Sequence, residues 1–144
     1  MVAPISCPIM REVDVYVAMS RVRELATELG FGLTDRTRIE IVVLELTRNL
    51  LVHAGGGSLS FARLDDPNRG VGLMIEATDE GPGIVDIELA LQDGYSTAHT
   101  LGSGLPGVRR LMDEFRITST VGVGTHVRAV KWLHVPQRRA IYGR

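Results

Sequence analysis

Apolar residues recur along the chain with two distinct periods. Val15, Met19, Val22 and Leu25/Ala26 follow steps of three and four, so Val13 to Leu29 reads as a helix, with Gly30 as its stop. A second helix, capped at Thr34 or Asp35, carries Ile39, Val42/Val43, Leu46 and Leu50 at the same spacing and runs to about His53. The Gly55-Gly56-Gly57 run ends it. Residues 3–11 read as a short first strand. Ser58–Leu64 and Val71–Thr78 are strands joined through the turn cluster 65–70, a hairpin. The turn formers of 79–83 follow, then a short helix over Val85–Leu91 and a polar loop over 93–104. Leu105 to Phe115 reads as a helix, with Pro106 in its first turn, where a missing N–H costs nothing. Arg116–Val121 and Thr125–Leu133 form a last hairpin around 122–124. Helices alternate with strands, but hairpins are frequent. That favours an α/β fold of the two-layer α+β sandwich kind, a mixed sheet with helices packed on it.

Composition narrows the function classes. A chain of 144 residues suits a single domain, here 1–144 with a core of about 8–133 and a tail of 134–144. Sixteen basic and 17 acidic residues leave a formal net charge of -1, so no long-range field draws nucleic acid or an anionic membrane. Cys7 is the sole cysteine, which excludes an internal disulfide and fits a reducing compartment. The N-terminus has no signal-peptide pattern, and no run of about 18 apolar residues occurs. The expected location is the cytoplasm. The four histidines, at 53, 99, 126 and 134, lack metal-ligand spacing. His53, one helical turn past Asn49, could border the pocket, but a packed helix-end residue is the favoured reading.

Three motifs carry candidate chemistry. Glu45 and Asn49 stand four apart on the second helix and share a face. An Asn carbonyl is a hard oxygen suited to Mg²⁺ beside waters and phosphates, and a carboxylate one turn earlier can take a proton from a hydroxyl. Asp79-x-Gly81-x-Gly83 follows a strand, so the strand end delivers Asp79 to a fixed place, where it can accept a hydrogen bond from the amino group of adenine. Gly81 and Gly83 let the chain turn and a flat ligand approach. Gly102-Ser103-Gly104-Leu105-Pro106-Gly107 opens a helix, and backbone N–H groups at a helix start attract phosphate. It is not a Walker loop, since no Lys-Ser/Thr follows. Alone, the three fit a solvated helix face, an ordinary turn and a helix start.

Their order is more specific than any one of them. It resembles the nucleotide-binding domain shared by gyrase, heat-shock chaperones, histidine kinases and mismatch-repair ATPases, the GHKL or Bergerat fold. The likeness implies a Bergerat-type sheet with helices on one face and an ATP lid. It implies Mg²⁺ on Asn49, Glu45 as general base and Asp79 on adenine with Gly81, Gly83 and Ile84 around it. Gly102, Ser103, Gly104, Leu105 and Gly107 would face the phosphates, and Thr125 would support the adenine contact. Ser96 and Thr97 either touch the γ-phosphate or are solvated lid residues.

Length selects a branch. No room remains for a phosphoacceptor helical unit or a transducer domain, so the chain resembles the small bacterial serine/threonine kinases that phosphorylate regulatory partners. Asp79-Glu-Gly-Pro-Gly-Ile84, Asp93-Gly-Tyr-Ser-Thr97 and the run from Gly104 to Phe115 make it similar to the stressosome's switch kinases, near the anti-sigma-factor kinases. The likeness implies Mg-ATP as cofactor, a STAS-domain partner as substrate and a PP2C-type phosphatase as a further partner. The rival reading is a stoichiometric ATP-binding regulator that activates a phosphatase or sequesters a sigma factor. A third is a degenerate domain with an empty pocket.

Overall fold

The computed structural model describes residues 3–92 and 104–134. Among them five strands and four helices follow in the order β1 (Ile5–Ile9), α1 (Glu12–Leu29), α2 (Leu33–Ala54), β2 (Gly57–Asp66), β3 (Gly70–Asp79), α3 (Ile87–Ala90), α4 (Gly104–Leu111), β4 (Glu114–Thr120) and β5 (Gly124–Trp132). The strands make one sheet ordered β1-β2-β3-β5-β4. The two-layer α/β architecture is the expected one. The sheet itself differs, because all four pairings are antiparallel rather than mixed. Chain traversals explain this. Two helices lie between β1 and β2 and bring the chain back reversed. β3 and β4 do run in the same direction, but β5 folds back between them and pairs with both.

Local signals fix the helix ends. Asp14 Oδ2 accepts the N–H groups of Met10 and Arg11, each at 2.9 Å, and so ties down the start of α1. Gly30 stops α1 in the left-handed region at φ 97°, while Phe31 N–H donates to Ala26 O. α2 begins one residue before the expected cap, with Gly32 in the capping position. Its end at Gly55 is left-handed, φ 74°. α4 stops at Leu111 instead of reaching Phe115. The register of the last hairpin wins there. Asp113 N–H donates to Val130 O, and the Asp113 carboxylate accepts Trp132 N–H at 2.7 Å. Residues 114–115 are thereby claimed by β4.

Both long helices cover one face of the sheet. Val22 of α1, then Ile39, Val42, Val43 and Leu46 of α2, pack on Leu59, Phe61, Leu73, Ile75 and Ala129 of the strands. The sheet's other face carries a smaller apolar row. Ala62, Met74 and Val130 stand side by side across β2, β3 and β5, next to Trp132. Trp132 donates its indole N–H to Glu114 at 2.7 Å and lies under the Arg69 guanidinium. None of the described helices is long and apolar enough to cross a membrane.

Candidate nucleotide site

α2 has an inward face that does not end with its apolar residues. Glu45 lies among them at 2% exposure, while Asn49, one turn on, is half-buried. The solvated-face alternative therefore fails for Glu45. One carboxylate oxygen, Oε1, accepts the N–H of Gly104 at 3.2 Å. Gly104 is the first residue of α4 and is left-handed, φ 73°, a conformation that favours glycine. The helix start and the acid of α2 thus meet directly, though 59 residues separate them in sequence.

Asp79 closes the far end. It is the last residue of β3 and stands opposite Thr125 at the start of β5. Asp79 Oδ1 accepts Gly81 N–H at 2.8 Å, which fixes the carboxylate's orientation. Thr125 Oγ1 lies 2.8 Å from Ser119 Oγ, and Ser119 Oγ also accepts Ile84 N–H at 2.7 Å. Strand end, following turn and last hairpin are stitched together at this point. Glycines make the junction possible. A side chain at Gly124 would collide with Asp79 O, and one at Gly57 with Thr78 O.

Between these two ends lies a cavity of about 810 Å³, within the range of small-molecule sites. Asn49, Asp79, Gly83, Ile84, Gly104, Leu105 and Thr125 line it, as the sequence predicts. Its walls are mostly apolar, with Leu46, Leu50, Ala77, Leu89 and Val127 among them. An adenine ring suits such walls, with a carboxylate at one end for its amino group and N–H donors of a helix start at the other for phosphate.

Three of the expected site residues do not line the cavity. Glu45 reaches its rim through Gly104. Gly81 packs on Ala54 at the end of α2, where a Cβ would come within 2.8 Å of the Ala54 methyl. Gly107 is buried inside α4. At Gly83, which is left-handed at φ 80°, an added Cβ would lie 2.5 Å from Thr120 O. The protein's own chain, rather than a ligand, therefore demands glycine at both 81 and 83. His53 is exposed and lines the cavity; of its two readings, bordering the pocket holds and the packed helix end does not. Ser96, Thr97, Gly102 and Ser103 lie outside the described residues. The sequence reading took Gly57 and Gly124 only as turn glycines and missed Ser119, which no local signal marks.

Asn49 offers one oxygen to a divalent cation. Among the described residues no group of three or more His, Cys, Asp or Glu side chains could hold a metal. A metal here would take its other ligands from phosphate and water, which is the chemistry of Mg²⁺. His126 is occupied by Glu76 at 2.9 Å. Cys7 is buried, and burial pushes its thiol above the ordinary range, with Arg21 opposing weakly. It is not an activated nucleophile.

Residues 10–131 match the model of the histidine kinase-like ATPase domain. The chain belongs to that family. It is 47% identical to the serine/threonine-protein kinase RsbT of Bacillus subtilis over 125 residues, covering 87% of this chain and 93% of that one. It is 30% identical to an anti-sigma F factor of a Thermoanaerobacter species over 119 residues, 81% of this chain and 83% of the relative. Among solved structures, the RsbU and RsbW domains of a Mycobacterium tuberculosis protein superpose with a TM-score of 0.64 at 17% identity, over 94% of this chain. The chain spans 34% of that protein's length, and the likeness establishes the fold.

Proposed function

We propose that this chain is an ATP-dependent protein serine/threonine kinase whose acceptor is a STAS-domain protein of a bacterial stress-signalling switch. One observation carries the site assignment. Glu45, Asn49, Asp79, Gly104 and Thr125, from four separate elements, surround or adjoin a single cavity. The protein-kinase class is supported by 47% identity to RsbT over nearly its whole length.

In this reading Asp79 accepts the adenine amino group, with Thr125 beside it, and the apolar walls hold the ring. Asn49 would hold Mg²⁺ through its side-chain oxygen, and the ion would supply neutralisation of the phosphate charge during transfer. N–H groups at the start of α4 hold phosphate oxygens. Glu45 takes the proton of the acceptor's Ser or Thr hydroxyl. That oxygen then bonds to the γ-phosphorus while the bond to the leaving ADP oxygen breaks. Positioning and charge neutralisation account for most of the rate. The work belongs in the cytoplasm, where ATP is plentiful and the thiol of Cys7 stays reduced.

Purified protein, Mg-ATP and candidate STAS proteins test this directly. Labelled phosphate should appear on a Ser or Thr of one of them; failure with every candidate overturns the kinase assignment. Glu45→Ala should lower transfer by about 10²–10⁴-fold with nucleotide still bound, whereas transfer at the normal rate contradicts its role. Kinship with anti-sigma F factors favours a second activity on the same surface: stoichiometric capture of a sigma factor or activation of a PP2C-type phosphatase. Complex formation without turnover would single it out.

A further inference from the structure

No described helix packs on the second face of the sheet. The inward residues of α1, α2 and α4 all join the core on the first face, and α3 lines the cavity on that same side. Arg116 of β4 and Arg128 of β5 stand directly opposite each other. Both point away from the core, because their chain neighbours Phe115, Ile117, Val127 and Ala129 pack into it. Cross-strand partners have Cα atoms about 5 Å apart, and like charges held there repel at a cost in stability. The carboxylates that could offset them are engaged elsewhere. Glu76, beside Arg128 on β3, lies 2.9 Å from His126 Nε2. Glu114, the next residue of β4 on this face, takes Arg69 and the indole N–H of Trp132. Among the described residues neither the Arg116 nor the Arg128 guanidinium has a hydrogen bond or ion pair. The stretch 135–144 holds no Asp or Glu to supply one.

We infer that Arg116 and Arg128 form a docking site for an acidic segment of a partner protein, whose carboxylates replace the repulsion between the guanidiniums with charge-assisted hydrogen bonds. The planar fork of arginine matches a carboxylate edge-on. Thr78 and Thr118, exposed on the same face on either side of His126, add hydroxyl donors. The footprint is small, with Glu76 to one side of the arginines and Glu114 next along β4. A nucleic-acid backbone, with its unbroken row of phosphates, would run onto those carboxylates, and a formal net charge of -1 gives it no field to follow. A segment with a few spaced acidic side chains avoids both obstacles. The nucleotide cavity lies across the sheet, where Ala77 and Val127 face the helices. A partner held by the arginines therefore leaves that cavity open, and the site is independent of the kinase reading.

A synthetic peptide, Glu-Ser-Glu-Ser-Glu, titrated into isotope-labelled full-length protein is the probe, with Gln-Ser-Gln-Ser-Gln as its uncharged control. Amide shifts should centre on residues 114–118 and 126–130 with the Glu peptide and be absent with the Gln peptide. The Arg116→Thr/Arg128→Thr protein should bind the Glu peptide at least about fivefold more weakly, the order of two exposed ion pairs. Arg21→Ala/Arg48→Ala, which removes the same charge from exposed positions of α1 and α2, should bind close to wild type. No shifts, shifts centred elsewhere, or equal weakening in both double variants overturn the site. Displacement of the peptide by equimolar inorganic phosphate would assign the arginines to a lone anion. Self-association of wild type that the Arg116→Thr/Arg128→Thr protein loses would assign them to a second copy of this chain. Either result overturns the acidic segment. A stability measurement needs no ligand: Arg116→Thr removes a repulsion, so it should unfold at the same urea concentration as wild type or a higher one. Unfolding at lower urea contradicts the unpaired arrangement. The double variant should bind ATP as wild type does; a weaker titration contradicts the separation of the two sites.

Discussion

Single residues set the chemistry through what their neighbours forbid. Gly124 has a φ of 150°, and a methyl there would strike Asp79 O. Gly124→Ala should cost about 2 kcal/mol or more of stability and weaken ATP binding, because the displaced strand end carries Asp79. Urea unfolding and an ATP titration on the same variant would show both losses; an unchanged protein would contradict the packing argument. If Asn49 is the proposed metal ligand, Asn49→Ala should raise the Mg-ATP dissociation constant while leaving Mg-free ATP binding close to wild type; equal losses with and without Mg²⁺ would contradict that role. Glu45, Asn49 and Asp79 were legible in the sequence because their spacing and punctuation stand out. Ser119 and Gly57 were not. Nothing local marks Ser119, and the Gly55–Gly57 run reads only as a helix stop; they matter because the last hairpin brings Ser119 against Ile84 and the β2–β3 pairing brings Gly57 against Thr78.

Elements inherit their boundaries from tertiary pairing as well as from local signals. Helical periodicity and Gly30 mark α1 well, because a left-handed glycine stop is a local event. The end of α4 could not be read that way. Asp113 and Lys131 decide it from across the hairpin: Lys131, 6% exposed, reaches Leu111 O at 3.2 Å, Asp113 at 3.4 Å and Asp35 at 3.7 Å. One buried ammonium thus joins the end of α4, β5 and the first turn of α2. Lys131→Met should destabilise the fold by about 2 kcal/mol, through an unfilled helix end and the loss of one cationic partner each at Asp35 and Asp113; chemical denaturation gives the number. The start of α1 has a pH signature. Two backbone donors, Met10 N–H first and Arg11 N–H second, hold Asp14 below the ordinary carboxylate range. A carboxyl lowered on folding stabilises above its unfolded pKa, near 4, and loses that contribution as pH falls through the folded value. Thermal melts between neutral and acid pH should therefore show a smaller acid-side loss for Asp14→Asn than for wild type.

At the scale of the molecule, the sheet is a frame that brings distant stretches to one cavity. The two-layer arrangement was legible, since amphipathic helices and alternating strands need each other's faces. Strand direction was not, because the placement of β5 between β3 and β4 leaves no mark in any single segment. That placement is what sets Thr125 opposite Asp79. The Asp79–Thr125 end of the site is therefore a product of topology, whereas the Glu45–Asn49 end is a product of one helix's periodicity. Calorimetric titration of wild type and Asp79→Ala with Mg-ATP tests the convergence of the two ends most directly. The account predicts a saturable heat for wild type and binding weaker by at least about tenfold for the variant, the loss of one buried hydrogen bond to a charged group. No heat from wild type, or equal affinity in both proteins, would contradict it.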